Sequence, residues 1–131
     1  MIELLVVILI VGVLTAIAVP AFLNQKSKAN DASGKELART AQTAMETVAA
    51  ANGGSYTTVA SPTDLSNVEK SINTNSSNGQ AYLSSATGLA SGFTVVATAA
   101  VTGDTFTITN SSGTITRTCS GTGGGCPSGS W

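Results

Sequence analysis

The sequence contains no histidine, and its charged and aromatic residues are few. Without histidine, the usual nucleophile–base pairs of hydrolytic enzymes cannot be assembled, and no phosphate-binding loop or paired-carboxylate motif takes their place. Charged residues make up 10% of the chain, against roughly 25% in an average soluble domain. We therefore predict that the protein is not an enzyme and that it needs no cofactor.

The few charges nearly cancel, giving a formal net charge of −1. Binding to nucleic acid requires a basic patch, so we predict no direct nucleic-acid site. Asp64, Glu69 and Asp104 are interpreted as solvated charges rather than as calcium ligands, since no cluster of metal ligands accompanies them. The sequence therefore predicts no metal site.

Large aliphatic residues are concentrated in an uncharged segment from Leu4 to Leu23. As a helix rising ~1.5 Å per residue, this segment matches the ~30 Å hydrocarbon core of a bilayer. It is apolar on all sides, which is typical of a helix exposed to lipid or wholly buried. Signal peptides and ordinary membrane anchors usually have a basic flank, and nothing basic precedes this segment. We expect that a basic leader was removed.

Glu3 lies at the start of this segment, where a carboxylate next to lipid is costly. Residues of this kind usually have a charged partner and a function. A carboxylate that is simply solvated at the level of the lipid headgroups is the alternative interpretation.

The sequence from Ile2 to Leu23 resembles the N-terminal signature of type IV pilins and of the related type II secretion pseudopilins. The similarity consists of Glu3, the aliphatic run, Gly12 and Pro20 at the family's spacing. It implies that Glu3 neutralises the N-terminal amine of a neighbouring subunit as that subunit leaves the membrane. It also implies that a prepilin peptidase removes a leader and methylates the new N-terminus.

The start of the chain differs from the family pattern. More residues precede the glutamate in similar pilins, whereas only Met1 and Ile2 precede Glu3 here. N-terminal methylation is therefore assigned either to Met1 or to a residue missing before it.

Gly12 and Pro20 weaken the helix between them. Glycine costs ~1 kcal/mol in a helix interior, and proline removes a backbone donor and clashes with the preceding turn. Because similar pilins unwind at this place in the filament, we predict that the segment Val13–Val19 melts on assembly. A simple kink at Pro20 is the alternative.

The helix is predicted to continue beyond the apolar segment to about Ala51, where Asn52-Gly53-Gly54 ends it. A face of residues at helical spacing is expected to pack on the rest of the protein: Leu37, Ala41, Met45 and Val48. The wet face is expected to carry two ion pairs, Asp31–Lys35 and Glu36–Arg39.

Three segments follow from this pattern: residues 1–24 form a transmembrane or filament-core helix, residues 25–52 its amphipathic continuation, and residues 53–131 a globular head. Residues 55–91 are expected to be a connection with one short helix that starts at Ser61-Pro62. From Phe93 the pattern alternates and predicts three strands: Phe93–Val101, Thr105–Thr109 and Thr114–Cys119. The fold class is α+β, the long helix packing on a small three-stranded antiparallel sheet in a pilin fold.

The two cysteines, Cys119 and Cys126, lie in a Gly-rich tail. They are too few for a structural zinc site, and in an exported chain they predict a disulfide. Two free thiols in a cytosolic protein are the alternative. Trp131 either packs on the head or belongs to a disordered end. In similar pilins such a disulfide loop lies on the filament surface.

The resemblance implies a structural subunit that polymerises into a type IV pilus filament, for adhesion, motility or DNA uptake. The partners would be identical subunits in a helical homo-oligomer, the inner membrane before assembly, and the pilus assembly machinery. The location would be the cell surface. A type II secretion pseudopilin and a monomeric membrane-anchored binding domain are the two alternatives.

Overall fold

The computed structural model describes residues 1–131. Helix α1 spans Ile2–Ala51, helix α2 spans Pro62–Val68, and a short 3₁₀ turn spans Ser76–Asn78. Four strands follow: β1 Tyr82–Gly88, β2 Gly92–Thr98, β3 Thr105–Ser111 and β4 Thr114–Ser120. Each strand pairs antiparallel with the next, in the order β1-β2-β3-β4. The protein is therefore α+β, with one long helix on an antiparallel sheet.

Helix α1 ends where the sequence predicts. The N–H of Asn52 donates to the carbonyl of Val48, and the N–H of Gly54 donates to that of Ala49 at 2.7 Å. Gly53 has a φ of 63°, a left-handed conformation that costs glycine nothing and turns the chain out of the helix.

The second half of α1 packs on the sheet through small residues. Ala38, Ala41 and Met45 are fully buried, and Val48 continues the same face. They meet large side chains of the sheet, chiefly Phe93, Phe106 and Ile108, so that small residues on one layer face large residues on the other. The predicted packing face is confirmed, with Leu37 at its partly buried edge.

Gly34 allows α1 to approach the sheet closely. A Cβ atom built at this position would lie 2.8 Å from Cδ2 of the Phe106 ring. A larger residue would therefore push the helix away from β3 or force the ring out of place.

The prediction of three strands is wrong, because β1 lies in the stretch that we assigned to the connection. A register irregularity between Leu83 and Ser85 interrupts its pairing with β2. As a result Leu83 and Ala86 both face the core, three positions apart, and the alternation expected of a strand is lost. The predicted first strand also runs too far: it ends at Thr98, and Val101 lies exposed in the following turn.

Helix α2 begins at the predicted Ser61-Pro62 signal. Asp64 Oδ2 accepts hydrogen bonds from the N–H groups of Ser61 at 2.9 Å and Ala60 at 3.0 Å. The backbone bond from Ala60 is the main cause that lowers the pKa of the Asp64 carboxyl. Asp64 thus caps the helix, and Leu65 of the same helix is fully buried against the core.

The predicted disulfide is confirmed: Cys119, on β4, is bonded to Cys126. Trp131 packs on the head, with its ring edge-to-face against Phe106 at a centroid distance of 5.7 Å. Its Nε1 donates to the carbonyl of Thr118 at 2.9 Å. The Gly-rich tail is thereby fastened at both of these points.

Replacing both cysteines by serine is expected to lower the free energy of unfolding by about 2–2.5 kcal/mol, because the open loop regains conformational freedom in the unfolded chain. Urea denaturation followed by the fluorescence of Trp131, the only tryptophan, measures this change. Ser128→Ala, an exposed position in the same tail, is the control. An unchanged urea midpoint in the cysteine variant would show that the disulfide contributes no stability.

Candidate functional site

The first half of α1 has no partner within the chain. Every large hydrophobic side chain from Met1 to Leu23 is at least 50% exposed. The first buried residues of the helix are Asp31 and Gly34. By length and composition α1 can cross a membrane, a property that membrane anchors and signal sequences share. A continuous apolar surface of this size is rare on soluble monomers and indicates contact with lipid or protein.

Glu3 lies in the first turn of α1, and its side chain is 93% exposed. Its carboxylate Oε2 lies 3.6 Å from the amine of Met1, which is equally exposed, so the contact contributes little. Glu3 makes no contact with the head. Its carboxylate is therefore available to a partner outside the chain, and its replacement should not affect the folding of residues 25–131.

Gly12 and Pro20 both lie inside the unbroken helix α1. Because proline has no N–H, the carbonyl of Ala16 lacks its usual donor four residues on. The hydroxyl of Thr15 donates to the carbonyls of Val11 at 2.9 Å and Gly12 at 3.0 Å, and so competes with the helical bonds of this turn. The segment Val13–Val19 is helical in the isolated chain, and its melting in a filament stays a prediction.

Asp31 is fully buried and does not form the predicted ion pair with Lys35. Its carboxylate accepts hydrogen bonds from the Thr102 hydroxyl and, at 2.8 Å, from the N–H of Gly125. Hydrogen bonds to a carboxylate contribute about 1.5–3 kcal/mol each. Asp31 therefore ties α1 to the disulfide loop. The other predicted pair is present, with Arg39 Nη1 3.6 Å from Glu36 Oε2.

Asp104 is 1% exposed, so its interpretation as a solvated charge is wrong. It accepts from the N–H groups of Thr122 at 3.0 Å and Gly123 at 2.7 Å. A Cβ on Gly123 would lie 2.6 Å from Asp31 Oδ2 and 2.9 Å from Asp104 Oδ2, so only glycine fits between the two carboxylates. The backbone of this loop approaches the two buried carboxyl groups so closely that neither Gly123 nor Gly125 has room for a side chain.

A second polar contact holds the chain that follows α1. The Tyr56 hydroxyl donates to Glu46 Oε2 at 2.9 Å and accepts from Asn110 Nδ2 at 3.3 Å. Burial first, and then the Glu46 carboxylate, raise the pKa of Tyr56. The contact links α1, the connection and β3.

Cations gather at the β4 edge of the head. Arg39 and Arg117 lie on the Trp131 ring, at 5.3 Å and 5.8 Å from its centroid, and Lys35 lies over Phe106. Lys28, Lys35 and Arg39 are spaced for one helix face, a signal that the sequence carried. Arg117 lies beside these helix residues because β4 passes there. The spacing of residues along α1 could not predict this position.

The predicted site residues thus fall into two separate groups. Glu3, Gly12 and Pro20 belong to the exposed apolar half of α1, whereas Cys119 and Cys126 fasten a loop on the head. No group of three or more metal-ligating side chains comes together anywhere in the chain.

Comparisons with protein-family models, with curated proteins and with solved structures find no match for this chain.

Proposed function

We propose that this protein is the structural subunit of a type IV pilus filament, anchored in the membrane before assembly. The observation that carries the proposal is the division of one 50-residue helix into an exposed apolar half and a half packed on a small head. The resemblance of Ile2–Leu23 to the pilin signature supports the same function.

A filament explains the exposed half better than a simple anchor does. Large aliphatic side chains surround this half of α1, so it suits lipid on all sides and also a bundle of identical helices. Burial is worth about 1.5–3 kcal/mol for each Leu, Ile or Val side chain, enough to hold such a bundle together. The surface that enters the membrane can thus become the core of the polymer.

Glu3 determines the register of neighbouring helices in this bundle. A lone carboxylate in an apolar core is strongly unfavourable, and pairing with a cationic amine removes much of the penalty. An arriving subunit would satisfy Glu3 only in the register that places its amine beside the carboxylate. A monomeric anchor has no such use for Glu3.

The proposal is tested by shearing the surface of cells that make the protein and examining the released material. We expect thin fibres whose main component is this chain by intact mass. The same mass shows whether further residues or a methyl group precede Met1. A chain that stays in the membrane fraction, with no fibre containing it, contradicts the proposal and favours a pseudopilin or a simple anchor.

A further inference from the structure

A small groove lies between α1 and α2 on the outer side of the head. Its volume is about 120 Å³, and it is lined by Thr40, Thr43, Ala44, Thr47, Val68 and Glu69. Small-molecule pockets usually enclose about 300–1,000 Å³, so this groove fits the end of one side chain. Val68 is 47% exposed, so the groove opens to solvent.

The three threonines offer acceptors to this groove and no donors. Their hydroxyls donate to helix carbonyls four residues back: Thr40 to Glu36 at 3.1 Å, Thr43 to Arg39 at 3.2 Å, and Thr47 to Thr43 at 3.0 Å. A hydroxyl has one proton and two lone pairs, so each oxygen still accepts. A ligand that fits must therefore supply the donors.

Glu69 gives the groove a negative charge. Its Oε1 accepts from the N–H of Ser71 at 3.0 Å, which holds the side chain in place and leaves Oε2 free. The bond from Ser71 lowers the pKa of Glu69, so the carboxylate is ionised at neutral pH. An ionised carboxylate beside hydroxyl acceptors favours a guanidinium, which presents several donors in one plane.

Arg117 is the cation best placed to enter such a groove on another copy. It is exposed on β4, the edge strand that pairs only with β3 and a short bridge from the tail. In its own chain the Arg117 guanidinium lies 5.8 Å from the Trp131 ring centroid, and its one side-chain hydrogen bond, to Gln42 Oε1, is long at 3.4 Å. The other arginine, Arg39, is engaged by Glu36 in its own chain.

The groove and Arg117 lie at opposite edges of the head. Helix α2 packs against β1, and β1 and β4 are the two outer strands of the sheet. Arg117 reaches α1 at Gln42, which by helical spacing lies on the opposite face of the helix from the groove threonines, so the two groups belong to different surfaces of one copy. Two different surfaces that fit each other form a head-to-tail contact, which repeats without closing in a helical polymer.

We propose that Arg117 of one copy enters the α1–α2 groove of a neighbouring copy and pairs with Glu69. The inference rests on the proposed function, because it requires a polymer. It adds a contact between heads to the contacts between apolar helices.

Charge reversal tests the pair in cells that make this protein alone. Glu69→Arg and Arg117→Glu are each expected to lower the yield of sheared fibres at least tenfold, because like charges then meet across the interface. The chain carrying both changes should yield several-fold more fibres than either single variant, because opposite charges meet again, although the carboxylate brings no donors for the threonine oxygens. Lys70→Gln, beside the groove, is the control and should change the yield by less than about twofold, because it adds no like charge to the interface.

A second variant covers the case in which a charge reversal disturbs folding. Thr43→Val keeps the shape of the side chain and removes one acceptor from the groove, so we expect a several-fold lower fibre yield with an unchanged circular dichroism spectrum. Normal yields from Glu69→Arg and Thr43→Val would overturn the contact while leaving the pilus proposal intact. A double variant that yields no more fibres than the single variants would also overturn it. Absence of fibres from the wild-type chain would instead contradict the pilus proposal itself.

Discussion

A chain with Glu3→Gln is expected to fold its head and enter the membrane normally, but to be incorporated into fibres at least tenfold less than wild type when the two are made together. Glutamine keeps the size of the side chain and loses the charge. The readout is the ratio of the two masses in sheared fibres, compared with their ratio in the membrane fraction.

The size of the effect follows from the electrostatics of the assembled state. Two unit charges 4 Å apart interact by about 4 kcal/mol at an effective dielectric constant of about 20. A tenfold change in a binding equilibrium needs only about 1.4 kcal/mol. Since Glu3 is 93% exposed in the isolated chain, its loss has no comparable cost before assembly.

Glu36→Gln is the matched control for Glu3→Gln. Glu36 lies on the same helix, is exposed, and forms a surface pair with Arg39 at 3.6 Å, worth at most about 1 kcal/mol. Its replacement should leave the ratio in fibres unchanged. Equal incorporation of Glu3→Gln and wild type would show that the charge of Glu3 has no role in assembly.

Removing residues 1–24 is expected to move the protein from the membrane fraction to the aqueous phase as a monomer. None of these residues is buried in the head, and the core begins further along α1, so the urea midpoint of the head should stay within error of the full chain in detergent. The measurements are detergent phase partition, sedimentation, and urea denaturation followed by Trp131 fluorescence.

Two results would contradict this expectation. A large drop in the urea midpoint would show that the apolar half of α1 stabilises the head, against the exposure seen here. Fibre formation by the shortened chain would show that the heads polymerise without the apolar helices. The full chain with Ser128→Ala, treated identically, controls for handling.

The apolar half of α1 and its special residues could be predicted from the sequence because their signal is local. A long uncharged run, a single early carboxylate, Gly12 and Pro20 can all be seen without knowing the fold. The end of α1 was equally clear, since Asn52-Gly53-Gly54 interrupts a strongly periodic pattern.

The features that could not be predicted depend on contacts between distant positions. From the sequence, Asp31 was predicted to be a surface charge on a helix. Its burial is explained by the N–H of Gly125, far along the chain, which donates to its carboxylate. Asp104 is similar, since its donors belong to a glycine-rich loop that has no periodicity of its own. Strand β1 was not predicted because the register irregularity beside Ser84 breaks the alternation of buried and exposed residues that identifies a strand.

The α1–α2 groove illustrates a third case. Its polar lining residues look ordinary in the sequence, as threonines on a solvent-exposed helix face and a glutamate after a short helix. They form a binding groove only because two helices pack together. The groove accepts hydrogen bonds because the threonine hydroxyl protons are donated to helix carbonyls.

A cryo-EM reconstruction of the sheared fibres tests the central claim most directly. The account predicts that residues 1–24 of many copies pack together along the fibre axis, with Glu3 within salt-bridge distance of a neighbour's N-terminal amine and the heads outside. A fibre whose axis lacks these helices, or one built from another protein while this chain remains in the membrane, would contradict it.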